Sequence, residues 1–181
     1  IRKPHYTTND PLSELQCTIS SVKAEKAWDF WDIASGMIPD GRNVLLASVD
    51  TGVDYTHPDL QNNSWINQGE IPPWMFEAGI DTDLDSYISA KEVVDFLTSE
   101  GMDINADGQI NLRDAVSEGS PFEDSIDDDS NGYVDDLLGW DCSGMYGPDD
   151  NDPFPKAGVS SSGTWAHGTH VAGLLAATTD N

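Results

Sequence analysis

Asp50 and His167 are the two side chains whose types and settings could do chemistry together. Asp50 ends the apolar run Val44-Leu45-Leu46-Ala47-Ser48-Val49 and precedes Thr51-Gly52-Val53-Asp54. A short branched apolar run predicts a strand buried on both faces. An aspartate at such a strand's carboxyl end, before a glycine turn, stands where open α/β sheets keep their reactive groups. His167 heads His167-Gly168-Thr169-His170-Val171-Ala172-Gly173, whose small and apolar residues predict a helix that packs closely, with Gly168 and Gly173 accepted for close approach. A carboxylate that orients an imidazole, which then moves a proton, is a charge relay.

Other readings compete for both segments. Asp-Thr-Gly is common turn composition, and the same tripeptide serves proteases that pair two carboxylates. His167 and His170, three apart on one helix face, could hold zinc. A catalytic zinc needs three protein ligands, however, and neither a second spaced histidine pair nor His-Glu-x-x-His occurs. The longer match through His57-Pro58-Asp59-Leu60, with the histidine-headed helix, favours the charge relay.

These two segments, in this order, resemble the aspartate and histidine segments of subtilisin-like serine proteases. Upstream, Thr8-Asn9-Asp10-Pro11 and Ser21-Val22-Lys23-Ala24-Glu25-Lys26-Ala27-Trp28-Asp29 resemble the opening of mature subtilases, with Ser21 as a helix cap and Trp28 and Trp31 as apolar surface. The resemblance implies an α/β fold: a subtilisin-like parallel sheet with helices on both faces, incomplete in this chain. It makes His167 the general base, Asp50 its orienting partner and His170 a packed neighbour. The family's Gly-Thr-Ser-Met-Ala-like serine segment does not occur, and Ser160-Ser161-Ser162-Gly163 reads as loop. The chain is therefore expected to be an amino-terminal portion, inactive alone, whose partners are polypeptide substrates, a carboxyl-terminal remainder carrying the serine, and a propeptide during folding. Calcium-stabilised relatives further imply a site from Asp10, Asp59 and the stretch from Thr178 to Asn181.

Between the two segments lies a long acidic stretch, 77–152, which holds 22 of the 33 acidic residues and only two of the eight basic ones. Such self-repulsion in a folded protein asks for cations or salt. Asp103, Asn105, Asp107, Gln109, Asn111 and Asp114 occupy positions 1, 3, 5, 7, 9 and 12 of a calcium loop, with Gly108 at position 6 and Gln109 offering its backbone carbonyl. The aspartate at position 12, where glutamate is usual, has a shorter reach. Ile88, Val93, Val94 and Leu97 recur at helical spacing before it, with Ser86 as a cap, and Leu112, Ala115 and Val116 continue a short helix after it. This is an EF-hand-like or dockerin-like pattern. A second loop starts at Asp127 and offers Asp129, Asn131, Tyr133 and Asp135, with Gly132 at position 6; its position 12 is Leu138, so Asp136 or a distant residue must close it.

The domain reading follows: 1–76 as arm and first part of a subtilase domain, 77–152 as calcium-binding insertion, 153–181 as the return with the histidine helix. A net charge of −25 excludes a nucleic-acid footprint, and no apolar run reaches membrane-spanning length. Loops suited to millimolar calcium favour a secreted, extracellular protein. Cys17 and Cys142 fit no Cys-x-x-Cys pattern, and their pairing stays open. The expected activity is serine endopeptidase; the alternative is a non-catalytic calcium-binding scaffold or adhesion module derived from a subtilase. An intact Gly-Thr-Ser-x-Ala segment downstream separates the two.

Overall fold

The structure, a computed structural model, describes residues 11–28, 44–144, 147–156 and 163–178. The chain divides into two compact units, Ile1–Leu46 with Thr178–Asn181, and Ala47–Ala177. In the first unit, helix α1 (Cys17–Val22) ends where Lys23 adopts a left-handed φ of 60°, and α2 (Ala24–Trp28) begins one residue later. The helix thus starts before Ser21, which is no cap: its hydroxyl donates back to the carbonyl of Cys17. Trp31 lies outside the described residues.

The second unit carries α3 (Pro73–Glu77), α4 (Ala90–Glu100), α5 (Leu112–Ala115) and α6 (His167–Ala176). Among the described residues 44–49 have no ladder partner, and Val49 is 99% exposed. A parallel strand is buried only by neighbouring strands and by helices over both faces. Among the described residues the sole bridge joins Asp141 to Asp150.

The core belongs mainly to the acidic stretch. Ile88, Val93, Leu97, Leu112, Ala115, Phe122 and Leu137 pack with Ile66, Ile71 and Met75 from before residue 77. One apolar interior therefore spans the sequence boundary at 76/77. Helix α4 forms because Ser89, not Ser86, caps it: the Ser89 hydroxyl accepts from Glu92 N, while the Glu92 carboxylate accepts from Ser89 N. Its buried apolar stripe, Ala90, Val93 and Leu97, repeats at three- and four-residue intervals and belongs to that core. Asn111 caps α5 in the same reciprocal way with Asp114.

The return from the acidic stretch positions the Asp50 turn. Val53 N donates to Pro153 O at 3.0 Å, and the Tyr55 hydroxyl donates to Asp152 at 2.7 Å. Gly52, at φ 95°, lies so close that a Cβ there would meet Pro153 O at 2.7 Å. Lys156 bridges Asp141 and Asp150 at 2.7 and 2.8 Å, fastening the base of that return. Cys17 and Cys142 are free, exposed thiols.

Candidate active site

Asp50 and His167 meet, although 117 positions separate them. His167 Nδ1 lies 2.7 and 2.8 Å from the two carboxylate oxygens of Asp50. A carboxylate only accepts, so Nδ1 carries the hydrogen and the neutral ring's Nε2 is left as a proton acceptor. The imidazole is open, with 64% of its side-chain surface exposed, while the carboxylate keeps only 16%. The His167 hydrogen bond, followed by that from Thr51 N, holds the Asp50 carboxyl below its usual value of 3.8.

Neighbouring residues fix this geometry, and sequence reasoning did not single all of them out. Gly168 N donates to the Thr51 hydroxyl at 3.0 Å, and that hydroxyl donates onward to Trp165 O at 3.0 Å. Asp54 N donates to the Thr169 hydroxyl at 2.9 Å. The amino end of α6 has orphan N–H groups to satisfy, and the Asp50 turn meets one of them through Thr51. Gly168 is indispensable sterically, because a Cβ there would lie 2.2 Å from Gly52 O and 3.2 Å from Asp50 Cβ. Gly173 has no comparable role: a Cβ there would meet nothing within 4 Å among the described residues. His170 is exposed rather than packed. At the far end, Asn63 Nδ2 donates to Ala176 O at 2.7 Å, satisfying one of the helix's last carbonyls.

Beside Asp50 opens a cleft of about 470 Å³ whose walls include Val53, Trp140, Cys142, Phe154 and Trp165. An aromatic-walled cleft next to a proton-transfer pair suits an organic ligand. Among the described residues no serine hydroxyl bonds to His167; Ser160, Ser161 and Ser162 lie outside them.

The sequence-predicted metal residues are distributed unevenly. In loop 103–114, Asp103 accepts from Asp107 N and Gly108 N, Asn105 from Asp107 N, and Asp107 from Gln109 N. Asp114 is fully buried and accepts from Ile104 N, Asn105 N and Asn111 N. Asn111 Oδ1 serves as the α5 cap. Loop 127–135 repeats the pattern: Asp127 accepts from Asn131 N and Gly132 N, Asp129 from Asn131 N, and Asn131 from Tyr133 N. A distant carboxylate, Glu70, only 2% exposed, offers an oxygen within 4.8 Å of oxygens from Asp127 and Asp129. Glu70 stands 57 positions before Asp127, so no local pattern could reveal it. Asp135 turns away to accept from Asp124 N and Ser125 N, and Asp136 accepts from Asn67 and Asn131. The Tyr133 ring packs on Trp140 with centroids 5.1 Å apart. Asp59 N bonds to His57, while Asp10 and Asn181 lie outside the described residues. No described helix is long and apolar enough to cross a membrane.

Comparison with known proteins bears on the family. Residues 41–181 match the family model described as "Subtilase family". The chain is 37% identical over 62 residues to the "Major intracellular serine protease" of Bacillus subtilis, covering 34% of this chain and 18% of that protein. It is 35% identical over 82 residues to "Halolysin" of Haloferax mediterranei, covering 45% of this chain and 13% of that protein. The matches thus span less than a fifth of either relative's length, and no solved structure matches. With the family model covering most of the sequence and both of its paired residues, this chain belongs to the subtilase family.

Proposed function

We propose that this chain supplies the aspartate and general base of a serine endopeptidase. The observation that carries the reading is the His167–Asp50 pair, with Nδ1 held at 2.7 Å and the imidazole largely exposed. His167 Nε2 takes the proton of a serine hydroxyl as its oxygen attacks a peptide carbonyl, then returns it to the leaving amine. Asp50 keeps the ring in the competent tautomer and stabilises the imidazolium that forms. On this reading the serine comes from a separate segment of polypeptide and the 181-residue chain is inactive alone, since among the described residues no serine hydroxyl bonds to His167. The cleft of Trp140, Phe154 and Trp165 offers surface for an extended polypeptide beside Asp50.

Calcium is the cation proposed for the acidic loops, supported by the convergence of Glu70, Asp127 and Asp129 and by the oxygen-only character of that set. Bound calcium would neutralise those carboxylates and hold the segment that docks on the Asp50 turn. A requirement for millimolar calcium suits a protein working outside the cell.

The test uses the protein in which this chain is joined to its serine-bearing segment. Asp50→Asn should lower kcat by about 10⁴-fold through the wrong tautomer, with circular dichroism unchanged. Turnover within a few-fold of wild type would overturn the assignment. The 181-residue chain should resist a fluorophosphonate probe, and stoichiometric labelling would refute the claim that the nucleophile lies elsewhere.

A further inference from the structure

A further group of carboxylates converges at the amino end of α4, in a stretch that sequence reasoning assigned to a helix and its cap. Asp81, Asp83 and Glu92 each place an oxygen within 4.8 Å of the others. Glu92 is only 6% exposed. Among the described residues no lysine or arginine forms an ion pair with any of the three. Hydrogen bonds account for most of their oxygens: Glu92 accepts from Thr82 N and Ser89 N, Asp83 from Asp85 N, and Asp81 Oδ2 from Ser86 N.

One oxygen is left over. Asp81 Oδ1 is shut off from solvent and has no hydrogen-bond partner, the single such buried side-chain atom among the described residues. An unpaired buried carboxylate oxygen costs free energy that native folds avoid. Here it belongs to a group of three acidic side chains, where a bound cation would satisfy the oxygen and cancel the repulsion together.

We propose that residues 81–92 form a further calcium site, with Asp81, Asp83, Asp85, Tyr87 through its carbonyl, Ser89 and Glu92 at positions 1, 3, 5, 7, 9 and 12 of the loop. The glutamate at position 12 has the reach for bidentate ligation that Asp114, one methylene shorter, lacks. Accordingly the carboxylates converge here, whereas Asp103, Asp107 and Asp114 are not brought within 4.8 Å of one another. Ser86 holds φ 67° at position 6, where the two other loops place glycine, and this substitution hides the loop from a glycine-based search. Helix α4 leaves this loop and enters the next one, and Ile88 and Ile110, at position 8 of each, both pack on the core. Sites 81–92 and 103–114 form a pair sharing one helix.

The readout is metal binding rather than turnover, so loss of this site and loss of the peptidase reading are separate results. Calcium is titrated calorimetrically into the 181-residue chain and its variants. Asp83→Asn, at an exposed position, leaves the core intact and should remove one calcium per chain or weaken one site about tenfold or more. Asp85→Asn, also exposed, should do the same. Terbium luminescence excited through tyrosine should fall in Tyr87→Phe, which preserves the ligating carbonyl. Calcium stoichiometry and affinities matching wild type in both aspartate variants would overturn the site, as would undiminished terbium emission from Tyr87→Phe.

Discussion

Two regions of this unit solve opposite electrostatic problems. At the head of α6 a carboxylate meets an imidazole, a complementary pair closed by direct hydrogen bonds and by glycine-to-backbone contact. In and around the acidic stretch carboxylates meet carboxylates: Glu70, from before it, with Asp127 and Asp129, and Asp81 with Asp83 and Glu92. The first arrangement is complete in its own side chains. The second has more negative charge than its hydrogen bonds balance, although it sits on the larger apolar core. A dyad with an exposed imidazole can therefore be locally determined, while a well-packed insertion gathers carboxylates that its own side chains do not neutralise. The two communicate through Asp152 and Pro153, which bond to Tyr55 and Val53 beside Asp50.

The most severe way to break the dyad without touching its chemistry is Gly168→Ala. The added methyl would collide with Gly52 O at 2.2 Å, pushing α6 off the Asp50 turn. In the protein that carries the nucleophile, kcat should fall about 100-fold or more, the scale of a 1 Å misplacement. Wild-type kcat in this variant would show that the helix–turn contact does not set the geometry.

Chelation probes the other side of the comparison. Each calcium site saturated at a hundred times its Kd adds about 2.7 kcal/mol, so removing calcium should lower Tm markedly and readdition restore it. The same chelation should leave sodium-driven screening untouched: high salt alone should recover only part of the loss, because buried carboxylates are screened less than exposed ones. Identical melting curves with chelator and with excess calcium would contradict an ion-dependent insertion.

The smallest effect is expected at the Lys156 bridge at the base of the return. Burial alone would push Asp141 up and Lys156 down, but their mutual hydrogen bond, with that of Lys156 to Asp150, reverses both. Asp141 is thus held below its usual 3.8 and Lys156 above its usual 10.5. The aspartate's contribution is present above the ordinary carboxylate range and lost as pH falls through its lowered folded value; the lysine's is lost only as pH rises through its raised one. Lys156→Met should cost about 1 kcal/mol near neutrality, given partial exposure of all three groups. The deficit should shrink in acid, measured by urea denaturation at several pH values. A pH-independent deficit would show that packing, not charge, explains it.

Much of the site was legible in the sequence because its signals are local. Asp50 and His167 each sit in a short segment of distinctive composition, and the regular spacing in 103–114 and 127–135 produces the same ladder of carboxylate-to-backbone bonds in both loops. Loop 81–92 escaped because Ser86 replaces the expected glycine and because Ile88 fits helical spacing equally well. The run 44–49 shows the converse limit: its composition predicts a covered strand, but cover is supplied by other elements, and among the described residues Val49 has none.

The sequence by itself carried the family, the two segments whose aspartate and histidine meet and the acidic character of the stretch between them, since residue type and near-neighbour spacing carry that information. Only the tertiary structure decided that Glu70 meets Asp127 and Asp129, that Gly168 rather than Gly173 needs to lack a side chain, and that Asp81 holds a buried oxygen without a partner. Each of those depends on which atoms packing brings within a few ångströms, across as many as 117 positions of chain. Spacing along the sequence sets such distances only within a turn or a loop.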